Sequence, residues 1–219
     1  MDHGILLIDK PSDMTSFGVV ARVRRVLSQR AGKKVKVGHT GTLDPFATGL
    51  MILVVGKECK NAGHYTKLDK VYEATFRLGQ ISTTGDPEGE ITDVSGKQPS
   101  LEEVRHVLPK FTGEISQRPP VFSAIKINGQ RAYKLARNGE EVEIPLRNVT
   151  VYELTLVDYS YPNLTVRAHV SSGTYIRSLA VDIGAALETG AYCTDLRRLS
   201  ISKWSVADAQ QLSDLGVTS

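Results

Sequence analysis

The sequence predicts an α+β fold, in which strands and helices mix without the repeated strand-helix units that build a parallel sheet. Three observations carry this reading. Tyr72 to Leu78 and Leu164 to Val170 both alternate, the latter as Leu164, Val166, Ala168 and Val170, which is the period of a half-buried antiparallel strand. Gly49 to Val55 (GLMILVV) is a near-continuous apolar run, readable as an interior strand. Two other segments carry their apolar residues at helical spacing: Val19, Val20, Val23, Val26 and Leu27, and then Ile176, Leu179, Ala180, Ile183 and Leu187.

In chain order, Gly4 to Asp9 (GILLID) reads as a short buried strand, closed by Lys10-Pro11 because proline cannot extend a ladder and restricts the residue before it. A helix follows, capped by Thr15 or Ser16 and stopped by Gly32. Arg22 and Arg25 lie off its apolar stripe. The strands at 49–55 and 72–78 come next, and then Ser100 with Glu103 forms a capping-box signature for a short helix ending near Pro109. After the strand at 164–170, a second strong helix is predicted from about Thr174 to Leu187, with Gly190 beyond its end. No internal repeat or low-complexity segment interrupts the pattern.

The chain of 219 residues, 41% of them hydrophobic, can build a substantial core as one large domain or two small ones. Lys and Arg total 27 against 24 for Asp and Glu, and the resulting net charge of +3 permits a polyanionic partner without demanding one. Distribution says more than the total. Arg22, Arg24, Arg25, Arg30, Lys33, Lys34 and Lys36 follow one another with no acidic residue among them. Such a run suits nucleic-acid phosphates, and it also suits a solvated helix face. Cys59 and Cys193 are far apart and outside any metal-ligand or disulfide spacing, which fits a reducing cytoplasm. The amino-terminal segment lacks the basic start and length of a signal peptide, and no stretch approaches a membrane span.

The most unusual local sequence is Val37 to Leu50, VGHTGTLDPFATGL, with three glycines, three threonines, one His and one Asp between two apolar segments. Its glycines allow close backbone approaches, and Pro45 biases Asp44 toward an extended conformation. The residues alone leave two readings open, a functional loop built around Asp44 or a structural turn in which Asp44 satisfies loop amides. Phosphate-loop, dinucleotide-fingerprint and zinc-protease motifs are absent, and no serine or cysteine nucleophile has a recognisable base.

Several ordered motifs together resemble the TruB-type tRNA pseudouridine synthases. They are Lys10-Pro11 followed by Thr15-Ser16; GHTGTLDPFATG at 38 to 49; Lys70-x-Tyr72-x-Ala74; and Gln117-x-Pro119-Pro120-x-x-Ser123-Ala124-x-Lys126-x-x-Gly129-x-Arg131-Ala132-Tyr133. Gly173-Thr174-Tyr175-Ile176-Arg177 and Gly190-Ala191-Tyr192 leading to Leu196-Arg197-Arg198 complete the set, so the resemblance spans nearly the whole chain. It implies a pseudouridine synthase fold with a mixed, largely antiparallel central sheet flanked by helices and loops.

The resemblance also implies the chemistry. Asp44 would be the catalytic nucleophile, Arg177 its ion-pair partner, and Tyr72 the ring stacked on the target base. His39 would fill the stack after the base is extruded, and Tyr175 and Leu196 would line the pocket. Lys10 completes the substrate-side set in a structural or phosphate-facing role, without taking part in the chemistry. Phosphate contacts are expected from Arg22, Arg25, Lys33, Lys34 and Lys36. Others are expected from Lys126, Arg131 and Arg137 in a loop at about 117–147 that closes over the RNA. No cofactor or metal is expected. The expected partner is tRNA through its T-arm stem-loop, with the enzyme acting as a cytoplasmic monomer without an obligate protein partner.

Two departures accompany the resemblance. Val170 stands where family members commonly carry Cys, and the sequence ends at Ser219, where bacterial relatives continue into a small PUA-type RNA-binding domain. A single catalytic domain over 1–219 without that addition is therefore expected. Two rival readings stay open: a guide-RNA-dependent synthase acting on ribosomal RNA, and a non-catalytic RNA-folding module that would need the basic surfaces but not Asp44.

Overall fold

A computed structural model describes residues 3–123, 126–127, 130–131 and 144–217. The chain forms two compact units, one discontinuous (Met1–Tyr72 with Arg197–Ser219) and one continuous (Glu73–Leu196). The expected closing loop at 117–147 is described only in part, and Arg137 lies outside the described residues.

In the first unit, β1 (Gly4–Lys10) pairs antiparallel with β3 (Thr48–Val55) over its full length, from Gly4 opposite Val55 to Lys10 opposite Gly49. Strand β2 (Val37–His39) lies antiparallel to the end of β3, with His39 opposite Leu53. The carboxy-terminal part of β12 (Ala191–Ile201) runs parallel to the start of β3, Arg197 and Arg198 facing Thr48 and Gly49. The approach is so close that a Cβ on Gly49 would collide with the Arg198 backbone, which explains a glycine there at φ 104°. The free edge of β1 is covered, since Asp9 donates its N–H to the Gln210 carbonyl and Gln210 returns one to Leu7, both at 3.0 Å.

Helix α1 (Ser16–Ala31) begins where the Thr15 hydroxyl accepts the Gly18 N–H at 2.9 Å and ends at Gly32, left-handed at φ 62°. The predicted stripe of Val19, Val20, Val23, Val26 and Leu27 is its buried face. After β3 the chain winds through a 3-10 segment, Gly56–Asn61, into the short α2 (Ala62–Thr66).

In the second unit the sheet order is β12, β4 (Lys70–Leu78), β11 (Asn163–Val170), β10 (Arg147–Ser160) and β7 (Gly113–Gln117). The predicted alternation holds in both strands: Ala74, Phe76 and Leu78 are buried in β4, and Leu164, Val166, Ala168 and Val170 in β11. Two small hairpins stand apart, β5 (Gln80–Ser82) with β6 (Ile91–Asp93), and β8 (Lys126–Ile127) with β9 (Gln130–Arg131). Helix α3 (Leu101–Val107) carries the predicted capping box, with Ser100 and Glu103 each bonding the other's backbone N–H. Helix α4 (Ile176–Ala186) is shorter than the sequence suggests because Tyr175 stays extended and serves as its N-cap. The result is the α+β class expected, with a largely antiparallel sheet.

Candidate active site

Asp44 sits half-buried on the loop between β2 and β3 in the first unit. The peptides on either side of it are pinned. The Ser16 hydroxyl, buried at the start of α1, donates to the Leu43 carbonyl at 2.9 Å and accepts the Leu43 N–H at 2.8 Å. Lys10, fully buried, aims its ammonium at the carbonyls of Pro45 (2.9 Å), Met14 (2.6 Å) and Pro11 (2.8 Å). Of the two roles open to Lys10 in the sequence, this geometry is the structural one. It also sets a positive charge beside the Pro45 carbonyl, one residue from Asp44.

Arg198, 1% exposed, crosses behind the same loop, its Nε bonding the Leu50 carbonyl at 2.6 Å and its Nη2 the Gly41 carbonyl at 3.1 Å. Its guanidinium carbon lies 6.0 Å from the centre of the buried Tyr72 ring. Lys70 begins the strand that carries Tyr72 and bonds the carbonyls of Thr66 and Leu68. Burial, joined by the charge of Arg198 and opposed by Asp69, lowers the Lys70 pKa to about 8. Arg197 chelates Asp9 at 2.8 and 3.1 Å, tying β12 to β1. Lys10, Ser16 and Arg198, from distant parts of the sequence, thus fix the Asp44 loop through its backbone. His39 stands half-buried at the end of β2, four residues before Leu43.

The second unit holds Arg177 in the first turn of α4, only 3% exposed. Its Nη1 donates to an Asp86 carboxylate oxygen at 2.8 Å and to the Thr84 carbonyl at 2.9 Å, and its Nη2 to the Phe122 carbonyl at 2.8 Å. Asp86, equally buried, is itself aimed: its other oxygen accepts the Thr84 hydroxyl at 2.5 Å and the Glu88 N–H at 3.0 Å. Asp86 is a buried counter-ion to Arg177 that the sequence reading did not find. Tyr175 is clasped by Gln117, whose side-chain amide accepts the Tyr175 N–H at 2.8 Å and donates to its carbonyl at 2.9 Å. Leu196 is buried on β12.

Of the expected phosphate contacts, Arg25, Lys33, Lys34 and Lys36 are exposed, whereas Arg22 is half-buried with its guanidinium 3.4 Å from the Gly18 carbonyl. Lys126 and Arg131 face each other in the β8–β9 register. Among the described residues no three His, Cys, Asp or Glu side chains gather as a metal site, and no helix is long and apolar enough to cross a membrane.

Comparison with known proteins gives this arrangement a lineage. Residues 24–176 match the family model described as "TruB family pseudouridylate synthase (N terminal domain)". The chain is 44% identical over 219 residues to the tRNA pseudouridine synthase B of Corynebacterium glutamicum, covering 97% of this chain and 71% of that protein. It is likewise 44% identical over 224 residues to that of Thermobifida fusca, covering 98% and 75%. Among solved structures it is similar to a chain of a Cbf5-Nop10-Gar1 complex, with a TM-score of 0.75 and 28% identity over 97% of this chain and 53% of that one. A chain of an H/ACA RNP bound to a substrate RNA containing 2'-deoxyuridine gives 0.71 and 26%, over 96% and 51%. The chain therefore spans about half the length of those structural relatives. With an Asp44 loop fixed by the family's own ordered motifs and a family model matching well over half its length, this chain belongs to the TruB family of pseudouridylate synthases.

Proposed function

We propose that the chain isomerises the T-loop uridine of tRNA, conventionally position 55, to pseudouridine, with Asp44 as the catalytic nucleophile. The observation that carries this is the pinned Asp44 loop in a chain 44% identical to proteins named tRNA pseudouridine synthase B. The reaction breaks the bond between the uracil nitrogen and the anomeric carbon, turns the base and rejoins it through carbon, so no atom is gained or lost. A fixed carboxylate, a pocket that retains free uracil and a dry wall suffice, and the balance calls for no oxidant, reductant or metal. The family resemblance assigns Arg177 the role of partner to the catalytic carboxylate, and its guanidinium is held in plane by Asp86 and two carbonyls. Tyr72 stacks on the base, Tyr175 and Leu196 line the pocket, and His39 replaces the extruded base in the RNA loop. The exposed run from Arg25 to Lys36 and the basic residues Lys126, Arg131 and Arg137 hold phosphates.

The enzyme works as a cytoplasmic monomer on tRNA alone. A guide-RNA-dependent reading has one observation in its favour, the likeness to a chain of a Cbf5-Nop10-Gar1 complex at a TM-score of 0.75, but the identity there is 28% against 44% for proteins named tRNA pseudouridine synthase B. The test is to incubate the purified chain with unmodified tRNA and map pseudouridine by carbodiimide labelling and mass spectrometry. Conversion without guide RNA or added protein is expected, and Asp44→Asn should abolish it while leaving RNA affinity intact. Near-normal turnover by Asp44→Asn would sink the central assignment.

A further inference from the structure

We propose that lysines at the Val55 end of β3 form a phosphate-binding cleft that grips the duplex stem of the substrate RNA, away from the reacting base. This rests on the reading of the chain as an RNA-modifying enzyme. Lys33, Lys34, Lys36, Lys57 and Lys60, with Val35 and Gly56, line an open cleft of about 330 Å³. Lys57 and Lys60 lie outside the basic run of α1, on the 3-10 segment that follows β3, yet the fold brings them to it. The Gly56 N–H bonds the Lys36 carbonyl at 2.8 Å, and Val37 pairs with Val55, so the two lysine-bearing segments form fixed walls. Buried Val35, its N–H held by the Ser28 hydroxyl at 3.0 Å, anchors one wall while Lys34 and Lys36 remain exposed on either side.

Among the described residues the ammonium groups of Lys34, Lys36, Lys57 and Lys60 make no hydrogen bond or ion pair, which leaves this charge without a counter-ion of its own. The nearest acidic side chain in sequence, Glu58, is turned away to accept the Tyr65 hydroxyl at 2.8 Å and the Asn61 amide at 3.2 Å. Like charges so gathered repel one another, and a polyanion laid across them relieves that repulsion. Ammonium groups are point charges that hold phosphate without reading bases, as a register-setting contact requires. An open cleft with five cations exceeds what one small anion needs and suits a backbone of successive phosphates. Position assigns the part of the RNA that is held. From Val55 back to Thr48, next to the Asp44 loop, β3 spans roughly 20 Å, equivalent to about six base-pair steps of duplex.

The experiment uses the full chain, the Lys57→Ala/Lys60→Ala variant and the charge-retaining Lys57→Arg/Lys60→Arg variant. Two hairpins carry the same target loop on stems of about three or about ten base pairs, bracketing the six-step distance. On the long stem the alanine variant should bind about tenfold more weakly, with a salt slope shallower by up to about 1.8. The arginine variant should bind like the parent, and conversion at saturating RNA should be equal in all three. On the short stem all three should bind alike. Parental affinity and slope for the alanine variant on the long stem would overturn the proposal, as would an equal loss on both stems. If the parent forms no pseudouridine, the catalytic reading fails, and the binding comparison still decides the cleft.

Discussion

Arg177 directs one guanidinium nitrogen at a carboxylate and a carbonyl and the other at a second carbonyl, so its plane is fixed by groups at different points of the chain. An ammonium cannot reproduce that fork, and Arg177→Lys should lose activity by orders of magnitude in kcat with a small change in RNA affinity. Normal turnover by the lysine variant would show that the fork is dispensable. Removing the counter-ion tests the same geometry from its other side: Asp86→Ala leaves a buried guanidinium without its carboxylate and should cost about 3 kcal/mol in urea unfolding. Lys70 offers a pH test. Its pKa of about 8 lies below the ordinary 10.5, so the folded chain binds fewer protons than the unfolded chain across that interval, and stability contributed through Lys70 rises as pH climbs from 8 to 10.5. The unfolding free energy of the parent minus that of Lys70→Met should therefore increase over this range; a flat difference would contradict it. At this scale the odd composition around Asp44 marked a loop that the fold does pin on both sides. The sequence was silent on Asp86, because Thr84-Gly85-Asp86-Pro87 reads as an ordinary turn, and part of the bonding of Asp86 is that of a turn aspartate to its neighbours.

At the scale of elements, the first turn of α1 does more than start a helix, since the reciprocal bonds between Ser16 and Leu43 make that helix the support of the Asp44 loop. Ser16→Ala removes both and leaves the Leu43 amide and carbonyl without this partner, at a cost of about 1–3 kcal/mol. If the loop is held for chemistry, kcat should fall while the KM for RNA stays close to that of the parent; a rise in KM alone would assign Ser16 to binding instead. Elements with one clean face were readable in advance, as β4, β11 and α1 are. Strand β10 was not, although it is the longest at 14 residues. Its inward positions run Val149, Val151, then Leu154, Leu156, then Tyr159, and the phase slips at the register breaks between Val151 and Glu153 and between Leu156 and Asp158. Each extra residue turns the following side chains to the other face, so no single period survives for a sequence reader to detect.

For the whole molecule, the modest net charge of +3 conceals a strong asymmetry, with the cations of α1, of the segment between α1 and β2 and of the 3-10 segment gathered on one unit. Conversion should survive exhaustive EDTA treatment on a pre-folded hairpin, because the isomerisation balances without a metal; a strict divalent requirement with that substrate would refute this. The same asymmetry governs how much of the RNA the chain needs. Every proposed recognition group, from Arg25 to Leu196, serves either the target loop or the stem beneath it, and none is left to read a distant arm of tRNA. An isolated T-arm hairpin with its stem extended to about ten base pairs should therefore be converted nearly as efficiently as whole tRNA at equal ionic strength, because it presents all the phosphates these groups can neutralise. Both substrates should also share one salt slope, since the slope counts neutralised phosphates and not the size of the RNA. A steeper slope and tighter binding for whole tRNA would locate further contacts outside the T-arm and show that the basic surface of this chain extends beyond the groups named.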